Sequence, residues 1–213
     1  YSLLYLERIT FYKIHQKGKA HKMKNNISRI SVKKNRTKQL TAIGLMTALL
    51  CIIAPFSIPL PVSPVPISLT NFIIFIIVYV LGTKDAVTCV IIYLILGATG
   101  LPVFSSFSGG LGKLAGPTGG YLIGFIFLTL IQGFLTEKIP ENNIAAIAGM
   151  ILGTAVCYAF GTAWLAWQMN QNFFAALAIA VLPYLPGDAT KIIIAAVAGP
   201  KLRAAVRKQK LIE

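Results

Sequence analysis

The chain of 213 residues is 56% hydrophobic and only 12% charged, where soluble domains carry roughly 25% charged residues. Its net charge of +14 would suggest nucleic acid in a soluble protein, but 11 of the 20 Lys and Arg lie in residues 1–38 and five from Lys201 onward. That distribution marks the flanks of a membrane protein; it excludes a soluble globular domain and leaves a nucleic-acid partner unsupported.

Between the flanks run four stretches free of Asp, Glu, Lys and Arg, at 39–83, 86–112, 114–136 and 142–187. A helix crosses a bilayer in roughly 20 residues, so these hold two, one, one and one-plus spans. The prediction is an all-α integral membrane protein of six transmembrane helices in a lipid bilayer. In chain order, residues 1–38 are expected as a basic arm, of which 1–22 precede Met23, read as the native start, and stand outside the fold. A first helix is predicted over 39–54. Pro55, Pro59, Pro61, Pro64 and Pro66 then forbid a helix and predict an extended loop. A second helix follows over 69–81, a turn at 82–85, and a third helix over 86–96. Residues 97–116 read as a glycine- and serine-rich loop. Pro117 suits the first turn of a fourth helix, running to 135. After a polar turn at 136–142, a fifth helix extends to 167. A short interfacial helix is predicted over 173–181, broken by Pro183 and Pro186 before a sixth helix over 187–202. The membrane domain is thus 39–203, with a basic tail at 204–213.

Charge sets the orientation. With both termini cytoplasmic, the turns bearing Lys84 and Lys138 also lie inside, and 18 of the 20 basic residues, all but Lys113 and Lys191, are cytoplasmic. The positive-inside rule is met.

Asp188 and Lys191 carry the strongest chemical signal. They are the only charges between Glu141 and Lys201, and their i, i+3 spacing puts them on one face of a helical first turn. Ionisable groups at membrane depth are costly and mark functional sites by default. A cap with a local ion pair is the bland alternative, but a cap needs no lysine. The second signal is the stretch from Gly109 to Tyr121, which includes Lys113, Thr118 and Gly119. It is not a phosphate loop: Leu114 follows Gly112-Lys113 where Ser or Thr belongs, and Phe107 occupies the leading glycine position. Such glycines let backbone approach a ligand closely, or let helices pack through Gly120-x-x-x-Gly124. Phe104, Phe107 and Tyr121 offer aromatic walls, and Thr70 and Asn71 offer polar groups on the same outer side. Together these form a candidate pocket for a small amphipathic solute with a negative end. Gly44-x-x-x-Ala48 offers a small-residue face on which another helix can pack.

Cys51, Cys89 and Cys157 sit in apolar blocks without ligand-spaced neighbours, and both histidines fall in the arm. No metal, disulfide framework or cofactor is expected. An intramembrane enzyme would need a nucleophile–base pair or paired carboxylates, for which one Asp without His is a poor start.

Four motifs in order resemble the BioY family of biotin-specific substrate-binding (S) components of energy-coupling-factor vitamin transporters. They are Pro64-Val65-Pro66-Ile67, Gly100-Leu101-Pro102-Val103-Phe104, Gly116-Pro117-Thr118-Gly119-Gly120-Tyr121 and Leu185-Pro186-Gly187-Asp188-Ala189-Thr190-Lys191. The resemblance covers about residues 38–203. It implies a six-helix biotin binder that docks through its first helix on a transmembrane scaffold subunit driven by two ATP-binding subunits. Gly44 and Ala48 match the family's docking positions, with Gly for the first Ala, and Asp188 and Lys191 match its last motif. Thr70 stands where relatives often carry Gln. The competing readings are a self-sufficient secondary transporter, for which no internal repeat is found, and an S component for another vitamin. Whether Lys113 or Lys191 meets a ligand carboxylate stays open.

Overall fold

The computed structural model describes residues 36–61, 63–139 and 142–208. Of the basic arm expected at 1–38, residues 1–35, with the start at Met23, lie outside the described residues, as does the end of the tail at 209–213, while 36–38 are already helical. Residues 42–213 form one compact unit. Of the unit before it, 1–41, the described part is the beginning of helix α1 (Arg36–Ile53), where Thr41 Oγ1 donates to Thr37 O at 2.9 Å.

After α1 the proline run is extended, as its fixed φ angles demand. It also pairs, which the sequence reading did not foresee. Strand β1 (Ser57–Leu60) lies antiparallel to β2 (Ser63–Ser68), with Ser57 opposite Ser68 and Ile58 opposite Ile67. Proline is tolerated because both strands are edges. A lone two-stranded ribbon is marginal in isolation, so its anchors must come from elsewhere in the fold.

Helices α2 (Thr70–Leu81) and α3 (Thr83–Ala98) are separated by one residue, Gly82, at φ 80°. The four-residue turn expected at 82–85 is therefore corrected to a single glycine. A carboxylate outside that stretch makes the early start of α3 possible: Glu137 Oε1 accepts from Thr83 N at 2.7 Å, placing negative charge at a helix N-terminus. Every residue of α2 except Phe72 is buried. A helix that is apolar all round belongs in the middle of a bundle, and Phe75, Ile74 and Ile77 of α2 are wholly enclosed.

The glycine-rich stretch contains a short helix, α4 (Leu111–Ala115), where a loop was expected. Helix α5 (Gly119–Lys138) begins two residues after Pro117 rather than on it. Helix α6 (Asn143–Gln168) is capped by Asn142, whose side chain accepts from Ile144 N at 2.9 Å. The two long helices run antiparallel with glycines at their contact. A Cβ on Gly124 would come within 2.8 Å of Cys157 Sγ, and one on Gly153 within 2.9 Å of Leu128 O. The predicted small-residue face is a packing face.

The short helix before the last appears as α7 (Phe173–Ala180), capped by Asn172. Helix α8 (Leu185–Lys208) starts two residues earlier than predicted and contains Pro200. Pro186 does not break it, because a proline in the first turn forfeits no intrahelical bond.

Among the described residues, four helical runs are long and apolar enough to cross a membrane: Arg36–Ile53, Gly119–Lys138, Asn143–Gln168 and Phe173–Val206. Helices α2 and α3, at 12 and 16 residues, are shorter. The architecture is thus a helical membrane bundle with one small hairpin.

Candidate ligand-binding site

Three connections meet at one end of the bundle. Ser106 N donates to Ser57 Oγ at 2.8 Å, and Phe56 packs edge-on to Phe107 at 5.3 Å, tying the hairpin to the segment after α3. Tyr184, just before α8, donates its hydroxyl to Val65 O of β2. Trp164 Nε1 of α6 donates to Gly116 O at 3.0 Å. The first two connections anchor the hairpin, and Tyr184 and Val65 border a cavity of about 60 Å³ whose walls come from β2, α2, α5, α6, α7 and α8.

The polar wall is built from helix starts. Asn71 lies in the first turn of α2, and Asp188 and Lys191 in the first two turns of α8. Asp188 is 4% exposed. Its Oδ1 accepts from Asn71 Nδ2 at 2.8 Å and from Lys191 Nζ at 3.0 Å, and its Oδ2 accepts from the Tyr158 hydroxyl of α6. Lys191 Nζ also donates to Ser68 O at 2.7 Å and to Asn71 Oδ1 at 3.2 Å. The site thus holds an ion pair, its carboxylate buried and its ammonium partly so, in which each charge is hydrogen-bonded by a neutral group. Replacing such a pair by packed apolar side chains is often neutral or stabilising, so its presence calls for a role beyond folding.

The apolar wall comes from Phe125 and Leu128 of α5 with Pro66 of β2, and Tyr121, Thr154 and Cys157 complete the enclosure. Tyr121 OH and Thr162 Oγ1 share a hydrogen bond of 3.0 Å. Asp188, Tyr158 and Thr154 also border an apolar cleft of about 560 Å³ between α6, α7 and α8.

Of the residues predicted from the sequence, the structure brings Asn71, Tyr121, Asp188 and Lys191 to this cavity. The others lie apart from its wall. Thr70 is buried next to Asn71. Phe104 is wholly buried, edge-on to Tyr93 at 5.4 Å and against Gly97. Phe107 is 59% exposed beside Phe56. Thr118 precedes α5, and Gly119 lies against the Leu114 backbone of α4. Lys113 is half-buried on α4, and burial holds its ammonium below the usual lysine range. Gly44 and Ala48 are exposed on α1, and a Cβ on Gly44 would meet nothing within 4 Å.

Sequence reasoning missed Tyr158 and Thr154. A signal existed, since Thr154, Tyr158 and Thr162 recur at i, i+4 and i+8 in an uncharged helix, a stripe of hydroxyls on one face.

The BioY family model matches residues 23–208. A biotin transporter BioY of Thermotoga maritima is 39% identical over 166 residues, covering 78% of this chain and 96% of the relative. A probable biotin transporter BioY of Pyrococcus horikoshii is 34% identical over 168 residues, covering 79% and 98%. The crystal structure of the S-component for biotin from an ECF-type ABC transporter superposes with a TM-score of 0.75 at 32% identity, over 80% of this chain and 93% of that one.

Proposed function

The chain belongs to the BioY family, and from that premise we propose that it is the biotin-binding S component of an energy-coupling-factor uptake transporter, a multi-pass protein of the bacterial cell membrane. It is a transport protein and not an enzyme. The observation that carries the reading is the buried Asp188 carboxylate on the cavity wall, flanked by Asn71 and Lys191. Biotin's head is a cyclic urea fused to an apolar bicycle, and its tail ends in a carboxylate. Asp188 suits a urea N–H as a charge-assisted acceptor. The Asn71 amide carries two N–H groups, one engaged by Asp188, leaving one for the urea carbonyl. Phe125, Leu128 and Pro66 offer the apolar surface the bicycle needs.

The tail carboxylate needs a different cation. An ammonium has three donors, and those of Lys191 are engaged by Ser68 O, Asn71 Oδ1 and Asp188 Oδ1. Lys113 is the remaining cation of the three connections that meet at this end, and its partial desolvation favours pairing with an anion. We assign the tail to Lys113.

The finer architecture follows from the same reading. Helices α1, α2, α3, α5, α6 and α8 are the six spans, with both termini cytoplasmic and the hairpin end outside. The exposed strip Gly44, Leu45, Ala48, Leu49 and Ile52 of α1 is the docking face for a transmembrane scaffold subunit, which two ATP-binding subunits energise. The test is calorimetry on the detergent-purified full chain. Heat with biotin in the absence of ATP is expected; no heat with biotin but clear heat with another vitamin would overturn the ligand.

A further inference from the structure

Thr154 is the polar residue of the cavity wall to which the site described above gives no task. It lies on α6 one turn before Tyr158, on the same helix face and one turn further from the hairpin end. The residue is 7% exposed, and its Oγ1 has no hydrogen-bond partner among the described residues, not even the carbonyl one turn back that helical threonines commonly take. Its neighbours on the wall are engaged. Cys157 Sγ donates to Tyr121 O at 3.6 Å, Tyr121 OH pairs with Thr162, Tyr184 OH donates to Val65 O, and Lys191 uses all three donors. A buried polar group without a partner is the exception in folded proteins and calls for an explanation.

Counting lone pairs supplies one. A carboxylate offers about four acceptor positions, and Asp188 has three filled, by Asn71, Lys191 and Tyr158. One remains. A cyclic urea brings two N–H donors and one carbonyl. Asn71 can serve the carbonyl and Asp188 one N–H, so the second N–H lacks an acceptor within the charged cluster. Asn71 Oδ1 cannot take it, since it already accepts from Lys191 Nζ and from Phe72 N.

We propose that Thr154 Oγ1 is a ligand-binding and specificity-determining group that accepts the second urea N–H. This rests on the biotin reading of the cavity. It makes the floor of the site, as well as its charged wall, a reader of the cyclic urea. A ligand with a single N–H would leave Thr154 unmatched, and one with the full urea satisfies it.

Thr154→Val keeps the shape and removes the hydroxyl, whereas Thr154→Ser keeps the hydroxyl. Both would be titrated by calorimetry with biotin and with desthiobiotin, which has the same urea but no ring sulfur, and their unliganded melting temperatures recorded. Thr154→Val is expected to weaken both ligands about tenfold, with an unliganded melting temperature equal to or above that of the wild type. Thr154→Ser should stay within about threefold for both. A loss confined to biotin would mean that the hydroxyl reads the sulfur and would overturn the assignment. Wild-type affinity in Thr154→Val would also overturn it, while leaving the biotin reading intact. A wild-type protein that gives no heat with biotin would overturn that reading and this inference together.

Discussion

Asp188 and Lys191 form an ion pair only one helical turn long, yet their surroundings make it unlike a surface pair. At a solvated position such a pair contributes roughly 0–1 kcal/mol. Here Asp188 is 4% exposed and receives three hydrogen bonds from three different helices. Removing one member of a buried, hydrogen-bonded charge pair costs about 2–5 kcal/mol in binding, much of it from the charge left behind. Asp188→Asn and Lys191→Ala should therefore each weaken biotin binding by that amount in a calorimetric titration. Lys84→Ala, at the opposite end of the bundle in the first turn of α3, should be nearly neutral. Equal effects at all three positions would place the site elsewhere. Lys113 allows a sharper separation. If it meets the tail carboxylate, Lys113→Ala should lose affinity for biotin but not for biotin amide, whose tail is uncharged. Parallel losses for both ligands would show that Lys113 does not read the tail.

Among the elements, α1 and the run from α7 through α8 are the least covered, the latter at 22% buried. Helices α2, α5 and α6 bury half or nearly half of their residues or more, whereas the window of α1 is 17% buried. Its inward side is ordinary core, with Ile43, Thr47 and Leu50 enclosed. Its outward side carries Leu45, Leu49 and Ile52 around Gly44 and Ala48. In lipid such a face has no hydrophobic reason to seek a partner, because hydrocarbon surrounds it either way. What the small residues supply is close approach of backbones. Gly44→Trp and Ala48→Trp should leave biotin affinity unchanged, since neither residue touches the cavity. Both should abolish co-purification with the scaffold and ATP-binding subunits, and uptake should fail with it. If tryptophan at both positions still allows co-purification and uptake, α1 is not the docking face. Loss of biotin binding instead would mean that α1 shapes the pocket. Helix α2 shows the opposite logic. At 12 residues it is shorter than the roughly 20 of a lone lipid-facing span, so as one of the proposed spans it relies on the rest of the protein to cover nearly its whole circumference.

Across the described residues from 42 onward, the arrangement puts the candidate site at one end and most of the remaining charges at the other. The segments 55–69, 99–118 and 169–187 carry a single charge, Lys113, whereas Lys84, Glu137 and Lys138 gather at the other end near Arg203. Topology is directly measurable. On a Cys51→Ala background, where Cys89 and Cys157 remain buried, Lys113→Cys should label with a membrane-impermeant maleimide applied to intact cells. Lys84→Cys and Lys138→Cys should label only after permeabilisation. The reverse pattern would invert the orientation, and labelling of Lys84→Cys from outside would remove α2 and α3 from the set of spans.

What the sequence determined by itself was whatever depends on local order along the chain. Membrane residence, the positions of the principal helices, the concentration of basic residues at the two ends of the chain and the Asp188–Lys191 face all follow from spacing and composition, because each is a property of one segment. Helix ends were misplaced by up to three residues at most boundaries and by six at the end of α8, expected at 202 and found at Lys208. Some ends were decided by a group from another segment. Glu137 capping α3 is the plain case. The tertiary structure alone decided which residues share a cavity. Phe104 and Tyr121 were indistinguishable as aromatic walls in the sequence, yet Phe104 fills the core against Tyr93 while Tyr121 faces the site. Tyr158 and Thr154 passed as ordinary residues of an apolar helix until packing set α6 against the start of α8. Burial and hydrogen bonding are properties of pairs distant in the chain, and Asn71 and Asp188 meet across 117 residues. No local pattern encodes that meeting; only the folded bundle, by closing α2, α6 and α8 around one point, brings it about.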